Sequence, residues 1–358
     1  MSFGARALVR LGALKHNFEV LRSKAPNAKI MAVIKANAYG HGMLPVAQSI
    51  SDVDAFAVAR LTEALELRNA GIETPIVLLA GVFNSEELDE AIAHGFEVVV
   101  HCQEQIQLLE DCESGQATVW LKFDTGMNRL GFDPQQATSL IQGLQDCTAV
   151  SEVRLMSHMA SADDRGNAAT TTQLERFQAV IDGFSGAVSV ANSAAALGWP
   201  ALSGEQWIRP GILLFGLSPF ADQTGIDLGL QPVMQFEARL IATKPLAKGA
   251  LVGYQGAHVA PADSVLGIIA AGYGDGYTRH FKNGTPVLIN GRKVPLIGKV
   301  SMDMIAVDLG ANSTDKVGDV ATLWGDGLPI EEVAPWAEAI PYDLVCGVMN
   351  REASEIVD

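Results

Sequence analysis

The sequence predicts an α/β protein in which an N-terminal (β/α)8 TIM-type barrel is followed by a C-terminal mostly β domain. Two patterns support this fold class. Between residues 28 and 215, short apolar runs alternate with longer amphipathic stretches, as in repeated βα units around a parallel sheet. After residue 231 the helical periodicity fades, and Gly-rich turns separate short strand-like runs. With 358 residues, 48% of them hydrophobic, the chain can bury a core of this size.

The barrel is predicted from a count of apolar runs. Eight runs are interpreted as strands: residues 29–34, 55–59, 76–79, 97–100, 117–123, 153–156, 187–191 and 207–208. Each run except the last is followed by a plausible helix; in residues 61–69, Leu61, Ala64 and Leu65 form an apolar stripe beside charged neighbours. Eight strands close a barrel. An open doubly wound sheet is the alternative, although no Gly-rich dinucleotide-binding turn follows the first strand.

The second part of the chain is predicted to be mostly β. Strands are expected at residues 264–269, 286–289, 292–294, 304–307 and 319–325, and a short helix at 330–338. Asn290 and Gly291 separate two of these strands, as in a two-residue hairpin turn in which both residues have positive φ. The change of pattern divides the chain into a barrel domain, residues 1–229, and a β domain, residues 230–358. The extreme N-terminal strand can pack on the β domain.

The charge balance limits the possible partners. The chain carries 25 basic and 41 acidic side chains, for a formal net charge of −16. This excess of acid repels nucleic acid and anionic membranes, so we expect a small-molecule ligand. No apolar stretch approaches the roughly 20 residues of a spanning helix, and charges near the N-terminus argue against a signal peptide, so we expect a cytoplasmic protein. The four Cys and seven His lack metal-site spacing, so we expect no metal.

The most informative segment is residues 32–42, A-V-I-K-A-N-A-Y-G-H-G, where a hydrophobic strand ends at Lys35 and a Gly-rich loop follows. Active sites of barrels are built at the carboxyl ends of the strands. A lysine there is partly desolvated, and because burial disfavours the ammonium, its amine can act as a base or as a Schiff-base nucleophile. Composition alone favours the other interpretation, a solvated surface lysine that closes a strand.

This segment resembles the lysine motif of the alanine racemases, which bind pyridoxal 5'-phosphate (PLP). The resemblance continues in the family's order through L-K-F-D-T-G-M-N-R-L-G (residues 121–131), S-H-M-A-S-A-D (157–163), A-N-S-A-A (191–195), R-P-G-I (209–212), V-G-Y-Q-G (252–256), G-Y-G-D-G-Y (272–277), V-S-M-D-M (300–304) and I-P-Y (340–342). These segments span nearly the whole chain. The resemblance implies an N-terminal (β/α)8 barrel with a C-terminal β domain, in agreement with the strand count.

The resemblance also implies two catalytic bases. Lys35 would hold PLP as an internal aldimine and, once substrate displaces it, serve as one base; Tyr254 resembles the other. Racemisation removes the Cα proton from one face and returns a proton to the opposite face, which two bases on opposite sides accomplish directly. A phenol has an ordinary pKa of about 10, so nearby cations that favour the phenolate would help Tyr254. Without the resemblance, Tyr254 would be interpreted as a strand aromatic that packs on the core of the β domain.

Four basic residues receive supporting roles from the same resemblance. His158 contacts the phenol, and Arg129 lies near it and binds the substrate carboxylate. Lys122 matches a position that is carbamylated in many family members and orients that arginine. Arg209 matches the residue that meets the pyridine nitrogen of PLP. Because a guanidinium stays protonated, it donates a hydrogen bond to that nitrogen and leaves the ring a weaker electron sink, which favours reprotonation over transamination and decarboxylation.

The phosphate of PLP needs hydrogen-bond donors, which barrels supply from late loops and helix N-termini. Gly211 and Ile212, directly after the eighth predicted strand, fit as backbone donors. Ser193, Tyr39 and Tyr342 match hydroxyl contacts of the family. Ser193 would otherwise be interpreted as an ordinary helix cap.

The resemblance further implies a homodimer with shared active sites. Met302 and Asp303 resemble residues that approach the substrate from the partner subunit, and Tyr254 is likewise donated across the dimer in this family. Each site of a monomer would then lack its second base. Tyr273 and Asp163 resemble residues of the corridor through which substrate enters.

The sequence departs from the family pattern at three places. Gln255 stands where a glycine often follows the catalytic tyrosine, Met159 stands where an aromatic is common, and the tail from residue 348 to 358 does not match the usual ending. Gln255 could alter substrate preference or the backbone at Tyr254. None of these departures removes a catalytic residue.

The expected function is therefore the interconversion of L-alanine and D-alanine, which supplies D-alanine for peptidoglycan or degrades alanine. One alternative is a racemase of the same fold with broader amino-acid specificity. Decarboxylases of this fold class usually pair the pyridine nitrogen with an acidic residue, so Arg209 argues against them. A non-catalytic PLP-binding homeostasis protein would lack the C-terminal β domain and Tyr254. A metal-dependent barrel hydrolase with a carbamylated lysine would need clustered imidazoles, and the sequence has no His-x-His pair.

Overall fold

The chain forms an eight-stranded parallel barrel followed by a second, mostly antiparallel sheet. The computed structural model describes residues 3–199, 206–348, 351 and 354–358. Strand β1 (Arg6–Arg10) and helix α1 (Leu11–Lys24) come first. The barrel strands β2 to β9 are Lys29–Val33, Ala55–Val58, Ile76–Leu78, Glu97–Val100, Ala117–Lys122, Val150–Met156, Val188–Asn192 and Trp207–Arg209. Each pairs in parallel with the next, and β9 pairs with β2, so the barrel is closed and the predicted fold class is confirmed.

Burial on both faces explains why the barrel strands could be recognised as apolar runs. β3, β4 and β5 contain only buried residues. The observed bounds follow the predicted runs closely, except that β7 begins at Val150 instead of residue 153 because its first residues pair with β6 outside the apolar run. All eight strands therefore present their carboxyl ends at one mouth of the barrel.

Eight helices accompany the barrel in the described chain, and three of them begin after an asparagine whose side chain caps the first turn. Their bounds, α2 to α9, are Lys35–Tyr39, Met43–Ser49, Leu61–Asn69, Ser85–Ala93, Gln103–Glu110, Ala137–Asp146, Ala168–Ile181 and Ser193–Gly198. The side chain of Asn84 accepts a hydrogen bond from the backbone of Glu87 at the start of α5, and Asn167 caps α8 in the same way. Such caps satisfy the N–H groups that a first helical turn leaves free.

The second sheet gathers strands from both ends of the chain. Its members and neighbours, β10 to β18, are Met234–Leu246, Leu251–Val252, His258–Val259, Ser264–Ile269, Pro286–Ile289, Arg292–Pro295, Ile305–Asp308, Val320–Trp324 and Glu355–Val357. The order is β15-β14-β17-β10-β1-β18, with β13 between β10 and β16, and β11 pairs only with β12 within the described ranges. β1 thus pairs with β10, whose residues lie more than two hundred positions later.

Two local predictions differ from the structure in detail. The hairpin turn between β14 and β15 has positive φ at both Asn290 and Gly291, as expected. The helix predicted over residues 330–338 is instead α10 (Ile330–Val333) followed by a 3₁₀ turn (Ala334–Ala337), because Pro335 has no N–H to continue the α pattern. A last helix, α11 (Pro341–Gly347), returns the chain to the barrel mouth. In the part of the chain described, no helix combines the length and apolarity needed to span a bilayer.

Candidate active site

Lys35 stands at the barrel mouth, two residues after β2 ends. Burial lowers the pKa of its amine below the usual 10.5, and the positive charges of Arg129 and Arg209 lower it further, whereas Glu63 acts in the opposite direction. These neighbours come from other elements of the barrel. The strand therefore presents a partly buried amine whose neutral, nucleophilic form is favoured, in agreement with the desolvation expected from the sequence.

The backbone after Lys35 has an uncommon conformation. Residues Ala36 to Tyr39 all have φ of 53°, so α2 is a left-handed turn in residues that carry a Cβ. This conformation costs about 1–2 kcal/mol per residue. Several hydrogen bonds hold it: among them, Glu63 Oε1 accepts from the N–H of Ala36 at 2.7 Å, Asn37 Oδ1 accepts from the N–H of Met43 at 2.8 Å, and the N–H of Gly40 donates to the oxygen of Ala36 at 3.1 Å. The turn fixes the direction in which Lys35 leaves its strand.

Arg209, the last residue of β9, is buried below the barrel mouth with 4% of its surface exposed. Its Nη1 donates to Ser189 Oγ at 2.5 Å, and its Nη2 donates to the oxygen of Ser157 at 2.6 Å and to Nδ1 of His158 at 3.2 Å. Burial lowers the pKa of the guanidinium to about 10, which still leaves it charged at neutral pH. A serine oxygen, a carbonyl oxygen and an imidazole nitrogen accept its hydrogen bonds, and within the described chain no carboxylate is among these partners.

The contact with Arg209 also defines the state of His158. A guanidinium can only donate, so Nδ1 of His158 must be the unprotonated nitrogen and Nε2 must carry the hydrogen. Burial, followed by the charges of Arg209 and Lys122, holds the pKa of His158 well below 6.5. The imidazole is therefore neutral, and its Nε2–H is left as a hydrogen-bond donor.

Lys122, the last residue of β6, is 7% exposed and faces other cations. Burial lowers the pKa of its amine from 10.5 to about 8, and the charges of Arg209 and Arg129 add to this effect. Asp124 stabilises the neighbouring loop, since its carboxylate accepts from the N–H groups of Gly126, Asn128 and Arg129 at 2.9–3.0 Å. Four cationic side chains and one imidazole thus surround the barrel mouth, although the chain has a net charge of −16. This mouth suits a phosphate or a carboxylate.

A group of hydroxyls lies beside these cations. Ser193 Oγ accepts from the N–H of Gly211 at 2.9 Å and keeps its own hydrogen to donate. A Cβ placed on Gly211 would lie 2.3 Å from Tyr39 Oη, so only glycine lets that hydroxyl approach the backbone. The ring of Tyr342, from α11, lies 6.1 Å from that of Tyr39. Neither phenol has a hydrogen-bond partner in the described part of the chain, and burial raises both pKa values.

Ile212 and Asp163 complete the barrel side of the predicted site. Ile212 begins a buried 3₁₀ turn (Ile212–Phe215) directly after Gly211. Ser193 is the first residue of α9, and Asn192 is its cap, so the interpretation of Ser193 as an ordinary cap is wrong. Asp163 is exposed, and its charge contributes to the raised pKa of Tyr342.

Tyr254 lies on the second sheet's side of the molecule, apart from this group. It begins a 3₁₀ turn (Tyr254–Gly256) after β11 and is 61% exposed, so the interpretation as a core aromatic is wrong. The guanidinium of Arg279 lies 5.7 Å from its ring centroid and 5.8 Å from that of Tyr273. Within the described chain, no hydrogen bond, ring contact or charge interaction joins Tyr254 to Lys35.

Met302 and Asp303 lie on the same side as Tyr254. Met302 is half exposed, and its carbonyl oxygen accepts from the N–H of Gly274, the residue after Tyr273. Arg351 donates to Asp303 at 2.6 Å and to Asp275 at 3.3 Å, so the C-terminal tail holds this loop. The predicted site residues therefore form two groups within one chain, one at the barrel mouth and one on the second sheet.

Comparison with known proteins decides the family. A model of the alanine racemase N-terminal domain matches residues 9–219, and a model of the alanine racemase C-terminal domain matches residues 233–356. The chain belongs to the alanine racemase family. It is 48% identical to an alanine racemase of Vibrio atlanticus over 355 residues, with 99% of both chains covered. It is 46% identical to the biosynthetic alanine racemase of Escherichia coli over 357 residues, again with 99% of both covered.

Solved structures give the same result. The biosynthetic alanine racemase of Pseudomonas aeruginosa superposes with a TM-score of 0.96 at 40% identity, covering 100% of both chains. The alanine racemase of Acinetobacter baumannii superposes with a TM-score of 0.93 at 36% identity, covering 99% of this chain and 100% of the other. The recognition made from sequence motifs is confirmed, and so is the prediction of an enzyme, an isomerase of the racemase class.

Two of the departures from the alanine racemase pattern can be located. Gln255 has φ of 59°, a conformation that suits the glycine usually found there, and its Oε1 accepts from Lys299 Nζ at 3.3 Å. Met159 is buried in the core. Of the tail, residues 348, 351 and 354–358 are described, and Glu355–Val357 pairs with β1; residues 349, 350, 352 and 353 lie outside the described residues.

Several residues that shape this alanine racemase site were not identified from the sequence. Glu63 and Arg351 hold site loops and lie outside every quoted motif, whereas His41 and Asp124 lie within the motifs of residues 32–42 and 121–131 but received no role from them. Asp124 had a local signal, because an Asp followed by Gly and Asn favours a turn closed by its carboxylate. Glu63 and Arg351 contact residues 27 and 48 positions away, and no local pattern predicts such pairs.

Proposed function

We propose that this enzyme interconverts L-alanine and D-alanine by two-base proton transfer at Cα, with PLP as cofactor. One observation carries the proposal: Lys35, a partly buried amine with a lowered pKa, lies among cations at the carboxyl ends of the barrel strands, beside the hydroxyls of Ser193, Tyr39 and Tyr342. Family membership supplies the reaction class. The relative named biosynthetic supports a role in supplying D-alanine for peptidoglycan in the cytoplasm, with alanine catabolism as the alternative use of the same reaction.

The residues at the barrel mouth fit a phosphorylated pyridine aldehyde. Lys35 would hold it covalently, and the hydroxyls of Ser193, Tyr39 and Tyr342 and the N–H of Ile212 would donate to its phosphate. The N–H of Gly211 would join them by exchanging Ser193 Oγ for a phosphate oxygen. Arg209 would meet the pyridine nitrogen as a donor. When bound, the cofactor withdraws electron density from the substrate Cα and makes its hydrogen exchangeable. Because Arg209 keeps its proton, this withdrawal stays limited, which favours return of a proton to Cα over side reactions.

The protons move through two side chains on opposite faces of the substrate. The Nζ of Lys35 takes or returns the Cα proton on one face, and the Oη of Tyr254 of the partner subunit does so on the other. His158 presents Nε2–H as a donor, which stabilises the phenolate of Tyr254. Arg129 binds the substrate carboxylate, and Lys122, carbamylated at its neutral amine, orients Arg129.

The partner subunit completes the site. Tyr254 is exposed and apart from Lys35 in one chain, which supports a homodimer in which each protomer donates Tyr254, Met302 and Asp303 to the other's barrel. Tyr273 and Asp163, which are partly or fully exposed, flank the corridor through which alanine enters.

The test is racemisation by the purified, PLP-saturated protein. We expect the circular dichroism of L-alanine and of D-alanine to decay to zero in deuterium oxide, with deuterium incorporated at Cα, and no loss of carbon dioxide. Lys35→Ala should abolish the visible absorbance of the lysine-bound cofactor and all racemisation. A wild-type protein that binds PLP but leaves both enantiomers unchanged would refute the proposal. Equal turnover of serine, arginine or lysine would identify the broader-specificity racemase instead.

A further inference from the structure

His41 is a fully buried histidine whose ring bridges two parts of the barrel mouth. Its Nδ1 lies 3.0 Å from the oxygen of Ala38 and 2.9 Å from the oxygen of Tyr39. Both carbonyls belong to the left-handed turn that follows Lys35. One face of the imidazole stacks on the ring of Phe215, with the ring centroids 4.3 Å apart and an angle of 21° between the ring planes. The side chain therefore contacts the turn at one edge and the 3₁₀ turn after Gly211 at its face.

The chemistry of these contacts sets the state of the ring. Carbonyl oxygens only accept hydrogen bonds, so Nδ1 of His41 must carry the hydrogen and donate it. Nε2 is then unprotonated, and it is buried without a partner in the described chain. Protonating it would place a charge in an apolar environment, and burial accordingly lowers the pKa of His41 to about 4. Around neutral pH the imidazole is therefore uncharged and acts as a hydrogen-bond donor through Nδ1.

The same turn contains Tyr39, whose hydroxyl is proposed to bind the cofactor phosphate. The ring of Tyr39 lies 5.2 Å from that of Phe215, and its hydroxyl lies against Gly211. His41 and Tyr39 thus share one aromatic neighbour, which follows the backbone proposed to bind phosphate. A displacement of the turn would move Lys35 and Tyr39 relative to that backbone.

We propose that His41 is a positioning residue for the cofactor. By donating from Nδ1 to two carbonyls of the left-handed turn while stacked on Phe215, it fixes Lys35 Nζ and Tyr39 Oη relative to the phosphate-binding backbone at Gly211. This inference rests on the proposed function, because it assigns His41 a task in holding PLP.

The test compares two substitutions at residue 41. His41→Asn keeps a donor, since its Nδ2 can occupy the place of Nδ1, whereas His41→Phe keeps the stacking ring and removes the donor. PLP is titrated into each apo protein, and the visible absorbance and induced circular dichroism of the bound cofactor are recorded. We expect the Kd for PLP to rise at least tenfold in His41→Phe, with a weaker induced signal, and His41→Asn to recover most of both.

Controls separate positioning from general stability. His94 also stacks on a phenylalanine, Phe96 at 5.6 Å, but near the amino end of β5, so His94→Phe should leave PLP binding unchanged. Thermal unfolding of the apo proteins shows whether each variant folds; if His41→Phe does not fold, His41→Leu, whose side chain also has no hydrogen-bond donor, replaces it. Wild-type PLP affinity and an unchanged induced signal in a folded donor-free variant would overturn the inference. A wild-type protein without PLP binding would instead refute the proposed function.

Discussion

At the scale of single residues, the barrel mouth concentrates positive charge at a cost to folding. Lys35, Lys122, Arg129 and Arg209 approach one another with little acidic compensation, and burial lowers the pKa of three of them. Such an arrangement is unfavourable unless an anion is bound. These residues therefore favour binding of an anionic ligand. Without the ligand, their mutual repulsion and burial should lower the free energy of unfolding of the apo protein.

Lys122 offers the clearest measurement of this cost. Below about pH 8 its ammonium is charged in both the folded and the unfolded chain, so the whole penalty of burying the charge is present. As the pH rises from about 8 towards 10.5, the folded chain loses the proton first and the penalty disappears. We expect Lys122→Met to raise the free energy of unfolding of the apo protein by up to ~3 kcal/mol at pH 7, with the gain shrinking through that window.

Urea unfolding in bicarbonate-free buffer measures this effect, because carbamylation cannot then neutralise the amine. Lys15→Met, at an exposed lysine of α1, serves as the control and should show no such pH dependence. If Lys122→Met destabilised the protein equally at pH 7 and pH 10, the ammonium would be well accommodated and the charge argument would be wrong.

Removing the phenolic hydroxyl of Tyr254 tests its role as the second base. We expect Tyr254→Phe to bind PLP with wild-type affinity, because Tyr254 lies apart from the residues around Lys35, and to racemise 10²- to 10⁴-fold more slowly, the usual contribution of a positioned acid or base. Lys35 should still exchange the Cα hydrogen of D-alanine with solvent. Proton NMR in deuterium oxide follows both enantiomers; exchange of L-alanine as fast as D-alanine would exclude Tyr254 as the base for that face.

At the scale of elements, Glu63 joins helix α4 to the turn after Lys35. Its carboxylate accepts from the N–H groups of Ala59 and Arg60, as an N-terminal cap, and from Ala36 in the turn. We expect Glu63→Ala to lower the free energy of unfolding by about 1–2 kcal/mol, the range for a lost cap. It should also lower the pKa of Lys35 further, because Glu63 opposes the other charges there.

Chemical denaturation and the pH dependence of cofactor attachment measure these two effects. Glu66→Ala changes an exposed carboxylate on the same helix and provides the matched control. A loss no greater than that of the control would mean that the turn holds its conformation without Glu63.

The secondary-structure elements also show which features of the fold can be predicted from the sequence. Barrel strands were recognised because burial on both faces requires continuous apolar runs, and helix α4 was placed correctly from its apolar stripe. The left-handed turn was not predictable, since Ala36, Asn37 and Ala38 carry no glycine and the conformation depends on contacts with Glu63 and His41. The chemical roles of the site residues could therefore be inferred from local sequence motifs. The contacts that hold those residues in place come from distant parts of the chain and could not.

At the scale of the whole molecule, the chain ends determine how the two parts are joined. β1 pairs with β10 and β18 pairs with β1, so the sheet of the second part contains both the first and the last strand. The register of these pairs could not be predicted, because pairing between distant segments leaves little local pattern in the sequence. Arg351 from the same tail holds the Asp303 loop, which links the sheet's construction to the group of residues around Tyr254.

Division of the site into two groups leads to a prediction about assembly. If Tyr254 acts across a dimer, a Lys35→Ala chain and a Tyr254→Phe chain are each inactive alone, but a mixed dimer contains one site with both bases. Random exchange of equal amounts makes half of the dimers mixed, each with one intact site of two, so about one quarter of wild-type activity should return. Native mass spectrometry confirms that exchange has occurred, and an unexchanged mixture provides the baseline. Mixed dimers that stay inactive would show that Tyr254 serves its own chain, since no mixed dimer then holds a complete site.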